Sequence, residues 1–170
     1  EVYRWNKVHD LTAVPAKEGL LRHTVDCLLP FVGVEPPGTL LDIGSGAGFP
    51  GVVLALYWPS TRVTLCEPLR KRRSFLDTVC ARVGLASELV AEPVEKLEGR
   101  TWDMVTSRAT LPWPQLLVSA APVTRSRGQL MALCGPDQAP SPVDLENLRA
   151  WENAVRRDYT LPDGARRCLI

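Results

Sequence analysis

The chain has 170 residues, 45% of them hydrophobic, and a formal net charge of +1. This length and apolar content suit one domain with a full-sized core, and they exclude a disordered chain. No apolar run approaches the roughly 18 residues that cross a bilayer and no signal peptide opens the sequence, so we expect a cytoplasmic protein without a membrane partner.

The first part of the chain predicts a helix. A short polar stretch is followed by apolar residues at helical spacing from Leu20 to Val32, and Pro36-Pro37-Gly38 ends this segment. We expect residues 1–37 to be an N-terminal helical extension that lacks its beginning, and residues 38–170 to be a Rossmann-like core within a single domain.

From residue 39 onward, short apolar strands alternate with helical segments. Strands are expected at 39–43, 62–66, 88–91, 103–106 and 129–133, with two weaker ones near Tyr159 and Cys168. Helices are expected at 50–57, 69–83, 111–123 and 143–155, the third interrupted by prolines. This alternation predicts an α/β fold with a mostly parallel sheet covered on both faces, where ligands bind at the carboxyl ends of strands.

The stretch after the first strand, Asp42-Ile43-Gly44-Ser45-Gly46-Ala47-Gly48, is the most informative part of the sequence. Glycines at alternate positions permit positive φ and the close approach of a ligand, and the next helix offers free N–H groups. The second strand ends in Glu67, whose carboxylate can accept hydrogen bonds from both hydroxyls of a ribose. These features predict a nucleoside-containing cofactor.

Two classes of cofactor fit this loop. Residues 46–51 match the GxGxxG pattern of dinucleotide-binding enzymes. Asp42 favours S-adenosylmethionine instead, because its carboxylate can reach the methionine end of that ligand and would repel a pyrophosphate. The sequence therefore predicts an S-adenosylmethionine-dependent methyltransferase, with a nicotinamide-dependent oxidoreductase as an alternative. A turn without a ligand is disfavoured, since three glycines cost stability.

The segment 41–51 closely resembles the signature of the glucose-inhibited division protein B family. Further similar motifs are Trp5-Asn6-Lys7, Leu11-Thr12-Ala13, Arg22-His23 with Asp26, Val63-Thr64-Leu65-Cys66-Glu67, Ser74-Phe75-Leu76 and Thr106-Ser107-Arg108-Ala109. The resemblance implies a seven-stranded Rossmann-like methyltransferase that methylates N7 of a guanosine in small-subunit (16S) ribosomal RNA. It also implies that the partner is this RNA or the assembled small subunit.

The resemblance carries over cofactor residues, and the loop adds others. The candidate cofactor-binding residues are Asp42, Gly44, Gly46, Gly48, Phe49, Glu67, Val94, Glu95 and Arg108. The chain departs from the family at Pro93 and Val94, which replace an arginine and an alanine, and at Cys134, which replaces a lysine. A methyltransferase for a small molecule or a protein, and a cofactor-binding scaffold without RNA activity, therefore stay open as alternatives.

Basic residues give a candidate RNA-binding surface. Its members are Arg22, His23, Arg70, Lys71, Arg72 and Arg73. The alternatives are a solvated helix face with Glu67 and Asp77 as partners, and a structural hydrogen bond for His23. Arg108 would contact a cofactor carboxylate or an RNA phosphate, unless it pairs with Asp42 or Asp103.

No catalytic side chain and no metal are expected. Guanine N7 carries a free lone pair, so its methylation requires no general base. The five cysteines form no CxxC pair and several lie in apolar runs, which predicts reduced, buried thiols. His9 and His23 lack the spacing of zinc ligands. We expect a monomer.

Overall fold

Seven strands form one mixed sheet in the computed structural model, which describes residues 1–108, 110–138, 140–141, 151 and 155–170. The strands are β1 (Thr39–Ile43), β2 (Arg62–Cys66), β3 (Glu88–Val90), β4 (Trp102–Arg108), β5 (Thr124–Cys134), β6 (Arg157–Thr160) and β7 (Arg166–Leu169). Their order across the sheet is β3-β2-β1-β4-β5-β7-β6. β1 to β5 pair in parallel, whereas β7 is antiparallel to β5 and to β6. The predicted mostly parallel, seven-stranded sheet is confirmed.

The strands lie where apolar runs predicted them, although two are longer than expected. β1 and β2 have the predicted bounds. β4 continues to Arg108 because it stays paired with β1 and β5 beyond its apolar run. The Ser107 hydroxyl compensates for its own burial by donating a hydrogen bond of 2.9 Å to the Ile43 carbonyl oxygen.

The helices with regular α geometry are α1 (Val2–His9), α2 (Asp26–Leu28), α3 (Gly51–Tyr57), α4 (Arg70–Val83) and α5 (Trp113–Ala120). α2 is the middle of a helical run that begins as a π-helix at Leu20–Val25 and ends as a 3₁₀ turn at Leu29–Phe31. Among these described helices, none is long and apolar enough to cross a membrane. The helix predicted at 143–155 falls almost entirely outside the described residues.

The helical extension expected at residues 1–37 begins with α1, half of whose residues are polar. Tertiary contacts stabilise it. The Trp5 ring packs edge-on against Phe75 of α4, with 5.6 Å between centroids. An ion pair of 2.6 Å joins Glu1, just before α1, to Arg82 near the end of α4.

Apolar side chains cover both faces of the sheet. Successive residues of β1 point to opposite faces, so Leu40 lies in one hydrophobic cluster and Leu41 in the other. The first cluster contains Leu54 of α3 and Phe75 of α4, whereas the second contains Leu116 of α5. The predicted two-faced arrangement is therefore confirmed, and it leaves the ends of the strands as the place for a polar site.

The cysteines largely follow the prediction. All five thiols are free, and Cys27, Cys66, Cys80 and Cys168 are buried. Burial raises the pKa of the Cys66 thiol to about 11, which keeps it protonated at neutral pH. Cys134 is only half-buried, because it lies at the end of β5 where the sheet meets solvent.

Candidate functional site

The order of the strands creates a crevice at the carboxyl end of β1. β1 lies between β2 and β4, and the chain passes to β2 and β3 on one side before it crosses to β4 on the other. Such a reversal separates the loops that leave adjacent strands, and ligands bind there in open α/β sheets. The fold brings four parts of the predicted site to this end of the sheet. The glycine loop (residues 44–49) follows β1, Glu67 follows β2, Val94-Glu95 follow β3, and Arg108 ends β4.

The glycine loop has the backbone geometry that its sequence predicts. Gly44, Gly46 and Gly48 have φ values of 69°, 53° and 88°, in the left-handed region that favours glycine. A Cβ on Gly48 would lie 2.7 Å from Val52 of α3, whereas a Cβ on Gly46 would meet only the Gly44 carbonyl oxygen, at 3.7 Å. Gly48 therefore permits the packing of α3, and Gly46 exposes backbone to the crevice.

Asp42 lies beneath this loop and not in the crevice. Its carboxylate is fully buried, and Oδ2 accepts a hydrogen bond of 3.0 Å from the Gly51 N–H at the start of α3. Burial raises the pKa of this carboxyl to about 7. In this structure the Asp42 side chain fixes the start of α3. Its direct contact with the methionine end of a ligand stays a prediction.

Gly51 explains why the loop signature extends past its third glycine. A Cβ at this position would lie 2.5 Å from Asp42 Oδ2 and 2.5 Å from Leu65 Cδ2. Any larger residue would displace the carboxylate that holds the helix.

Thr110 is a second residue that sequence reasoning missed. Its Oγ1 lies 3.2 Å from the Ile43 carbonyl oxygen and 3.3 Å from the Gly44 carbonyl oxygen.

Glu67 braces the loop from the end of β2. Its Oε2 accepts a hydrogen bond of 2.9 Å from the Gly46 N–H, and its Oε1 accepts one of 2.9 Å from the Leu69 N–H. The residue is 2% exposed. Each carboxylate oxygen has two acceptor sites, so these bonds leave capacity for further donors.

Val94 and Glu95 lie in a single 3₁₀ turn after β3. The Val94 side chain is buried in the second hydrophobic cluster, whereas Glu95 is exposed. Glu95 Oε1 accepts a hydrogen bond of 2.9 Å from the Ser119 hydroxyl of α5. This hydrogen bond therefore links the turn after β3 to α5, the helix that packs in the second hydrophobic cluster.

Arg108 is held by the helical run at residues 20–31. Its Nη1 donates to the Arg22 carbonyl oxygen at 2.9 Å and lies 3.7 Å from Asp26 Oδ2. Its guanidinium carbon is 5.4 Å from the centre of the Phe49 ring. The alternative partners Asp42 and Asp103 are not the ones observed, since Asp103 bonds to Thr39 and Arg125 at the other end of β4.

His23 is a buried structural residue. Its ring stacks on Phe49 with centroids 4.3 Å apart, and its Nε2 lies 3.0 Å from the Thr12 hydroxyl. Burial lowers the pKa of the imidazole to about 4, and the charge of Arg108 adds to this effect. His23 thus takes the structural hydrogen-bonding role that was the alternative, and its part in an RNA-binding surface stays a prediction.

The remaining basic candidates divide into paired and exposed residues. Arg73 Nη1 donates to the Glu67 and Pro68 carbonyl oxygens, at 3.0 and 2.5 Å. Arg22 pairs with Asp163 at 2.7 Å, and Arg72 lies 3.9 Å from Glu67. Arg70 and Lys71 are exposed at the start of α4. Within the described part of the chain, no ion pair engages either of these two.

Comparison with known proteins identifies the family. A family model described as GidB, rRNA small subunit methyltransferase G, matches residues 1–160. The chain belongs to this family. The resemblance found in the sequence is thus confirmed, and the crevice lies where ligands bind in open α/β sheets.

Relatives with this name span much of the chain. Ribosomal RNA small subunit methyltransferase G of a Nocardioides species is 44% identical over 116 residues, which cover 67% of this chain and 46% of that protein. The protein of that name from Thermotoga neapolitana is 32% identical over 174 residues, which cover 97% of this chain and 76% of that protein. The chain thus spans about half of the first relative's length and three quarters of the second's.

Solved structures support the fold alone. A putative O-methyltransferase from Nostoc punctiforme superposes with a TM-score of 0.65 at 14% identity, over 88% of this chain and 56% of that one. At this identity, a common architecture is established and a common substrate is not.

Proposed function

We propose that this chain is an S-adenosylmethionine-dependent methyltransferase that methylates N7 of a guanosine in small-subunit ribosomal RNA. The observation that carries the proposal is the glycine loop at the carboxyl end of β1, braced by Glu67, in a member of this family. The name of the relatives supplies the substrate class.

The residues present fit S-adenosylmethionine. A ligand can approach the backbone closely at Gly46. Among the described residues, no side chain lies within 4 Å of the position that a Cβ on Gly46 would occupy. Glu67 keeps acceptor sites that suit ribose hydroxyls, and a guanidinium such as that of Arg108 can hold a carboxylate by two N–H bonds. We assign cofactor binding to Gly44, Gly46, Phe49, Glu67, Val94, Glu95 and Arg108, with Gly48 and Asp42 as supports of the loop.

The chemistry requires position more than proton transfer. When bound, the cofactor supplies a methyl group on a positively charged sulfur. Guanine N7 is an acceptor with a free lone pair, so no proton has to leave it and no side chain is assigned as a general base. The residues of the crevice bind the two reactants, orient them and exclude water.

The position of N7 restricts the form of the RNA. N7 faces the major groove, which in A-form RNA is too deep and narrow for side chains. We therefore propose that the target guanosine lies in a loop or is flipped out of its stack. Arg70 and Lys71 follow Glu67 closely in sequence, so they would contact phosphates beside the cofactor. We further propose that the protein acts as a monomer in the cytoplasm.

The test uses small ribosomal subunits that lack N7-methylguanosine. Incubation with the protein and S-adenosylmethionine should introduce one N7-methylguanosine per RNA, mapped by mass spectrometry of nuclease fragments. S-adenosylhomocysteine, and not NAD, should raise the melting temperature of the protein. Transfer to a protein or small molecule without any transfer to RNA would refute the proposed substrate, and stabilisation by NAD alone would refute the proposed cofactor.

A further inference from the structure

Asp26 is a buried carboxylate on which three distant parts of the chain converge. It lies at the start of α2 and is 5% exposed. Its Oδ2 is 3.3 Å from Arg167 Nε of β7 and 3.7 Å from Arg108 Nη1 of β4. Its Oδ1 accepts a hydrogen bond of 3.1 Å from the Tyr159 hydroxyl of β6. The N-terminal helical run is thereby attached to the central strand β4 and to the antiparallel strands β6 and β7.

The charges of this cluster do not cancel. One carboxylate faces two guanidinium groups, and arginine remains protonated in proteins. His23 adds no charge at neutral pH, because burial and Arg108 lower its pKa to about 4. The cluster therefore keeps one excess positive charge. Arg108 lies nearer the crevice than Arg167, since it ends β4 and faces the Phe49 ring of the glycine loop.

The orientation of Arg108 is set by acceptors from a five-residue stretch. The Arg22 carbonyl oxygen, His23 Nδ1 and the Asp26 carboxylate lie 2.9, 3.3 and 3.7 Å from its terminal nitrogens. Because arginine can only donate, Nδ1 must be the acceptor, and the Nε2–H of His23 then donates to the Thr12 hydroxyl. Within this stretch, Asp26 alone supplies a negative charge.

We propose that Asp26 is a positioning residue for cofactor binding: its carboxylate fixes the guanidinium of Arg108 at the edge of the crevice, so that the N-terminal helical run forms part of the cofactor site. This inference rests on the proposed function, in which Arg108 holds the cofactor carboxylate. A guanidinium without its counter-charge would turn toward solvent or toward another carboxylate, and it would no longer present two donors to the ligand.

A double-mutant cycle tests this proposal through cofactor affinity. Asp26→Asn keeps the size of the side chain and removes its charge, and Arg108→Gln removes the guanidinium. We expect Asp26→Asn to weaken S-adenosylhomocysteine binding about tenfold by calorimetry, on the scale of one charge-assisted hydrogen bond. In the Arg108→Gln background, the same substitution should change the affinity less than twofold. A loss that is equal in both backgrounds overturns the proposal.

Turnover kinetics separate positioning from general destabilisation. In Asp26→Asn, the KM for S-adenosylmethionine should rise while the KM for small subunits stays unchanged. Asp103→Asn is the matched control, since it removes an aspartate paired with arginine at the opposite end of β4. That control should leave both values unchanged. Parallel increases of both KM values in the two variants overturn the proposal.

Two further outcomes are informative. If Asp26→Asn does not fold, Asp26→Glu takes its place in the cycle, where the displaced carboxylate should cost two- to fivefold in affinity, and only when Arg108 is present. No loss, or a loss without Arg108, overturns the proposal. Failure of the wild-type protein to bind S-adenosylhomocysteine refutes the proposed function itself and is thus distinguishable from failure of the role of Asp26.

Discussion

The three glycines of the loop adopt similar backbone angles for different reasons. Each has positive φ, which costs about 1–2 kcal/mol for any residue with a Cβ. At Gly48 the added atom would also collide with Val52, whereas at Gly46 it would project into the crevice. The same residue type therefore serves packing at one position and ligand access at the other.

Paired substitutions should separate these two roles. Gly46→Ala should lower the melting temperature by roughly 3–8 °C from backbone strain alone, and it should weaken S-adenosylhomocysteine binding at least tenfold. Gly48→Ala should lower the melting temperature further, because packing strain adds to the backbone term. Differential scanning calorimetry and titration calorimetry measure both effects. Unchanged affinity in Gly46→Ala would remove this glycine from the proposed site.

Helix α4 begins with four consecutive cations, which is unfavourable for the helix. Positive charge at a helix N-terminus opposes the macrodipole and costs roughly 0.3–1 kcal/mol per charge at most. Arg73 offsets this cost through hydrogen bonds to the Glu67 and Pro68 carbonyl oxygens. Arg70 and Lys71 are exposed there instead, so a phosphate partner is the explanation that we propose for them.

Neutralising these two residues should weaken RNA binding without harm to the fold. For Arg70→Gln/Lys71→Gln, we expect the slope of log affinity against log salt to become shallower by about 1.5 to 2. Cofactor affinity should stay the same, and stability should be equal or higher because the macrodipole is relieved. Arg62→Gln/Arg100→Gln, at the amino ends of β2 and β4, is the control with the same change in charge. If both double variants show the same slope, the exposed start of α4 is not the RNA surface.

At the scale of the whole molecule, the buried Asp42 makes stability depend on pH. Burial raises the pKa of its carboxyl from 3.8 to about 7, so the folded state binds a proton that the unfolded chain releases. This contribution to stability is fully present below about pH 4 and is lost as the pH rises through 7. His23 acts oppositely: its lowered pKa gives stability that is lost as the pH falls from 6.5 toward 4.

Asp42→Asn should reveal this term, because asparagine retains the acceptor for Gly51 N–H without a charge. The unfolding free energy of the variant minus that of the wild type should increase from pH 4 to pH 7, by a few kcal/mol at most. Denaturant unfolding of both proteins measures this difference. Above pH 7.5 the difference should be constant. The contribution of His23 is common to both proteins and cancels. A pH-independent difference would show that Asp42 is ionised throughout this range.

The sequence by itself determined the layers of the fold and the identity of the loop. Five-residue segments rich in apolar residues predicted β1 and β2 with their bounds, because strands buried on both faces are mostly apolar. Glycines at alternate positions predicted a loop with positive φ, since few other residues adopt it. These are local properties, and local sequence encodes them.

Only the tertiary structure decided what the charged residues do. Asp42 and His23 looked like a ligand contact and an RNA contact by position along the chain, yet both side chains are buried. Arg108 keeps its proposed place in the crevice, but hydrogen bonds to residues 22–26 set its orientation. The helix α1 is likewise stabilised by contacts with α4, because Trp5 packs against Phe75 and Glu1 pairs with Arg82. Partners that lie more than 60 residues apart leave no periodic pattern, and the energy of a charge depends on the burial and counter-charges that packing creates.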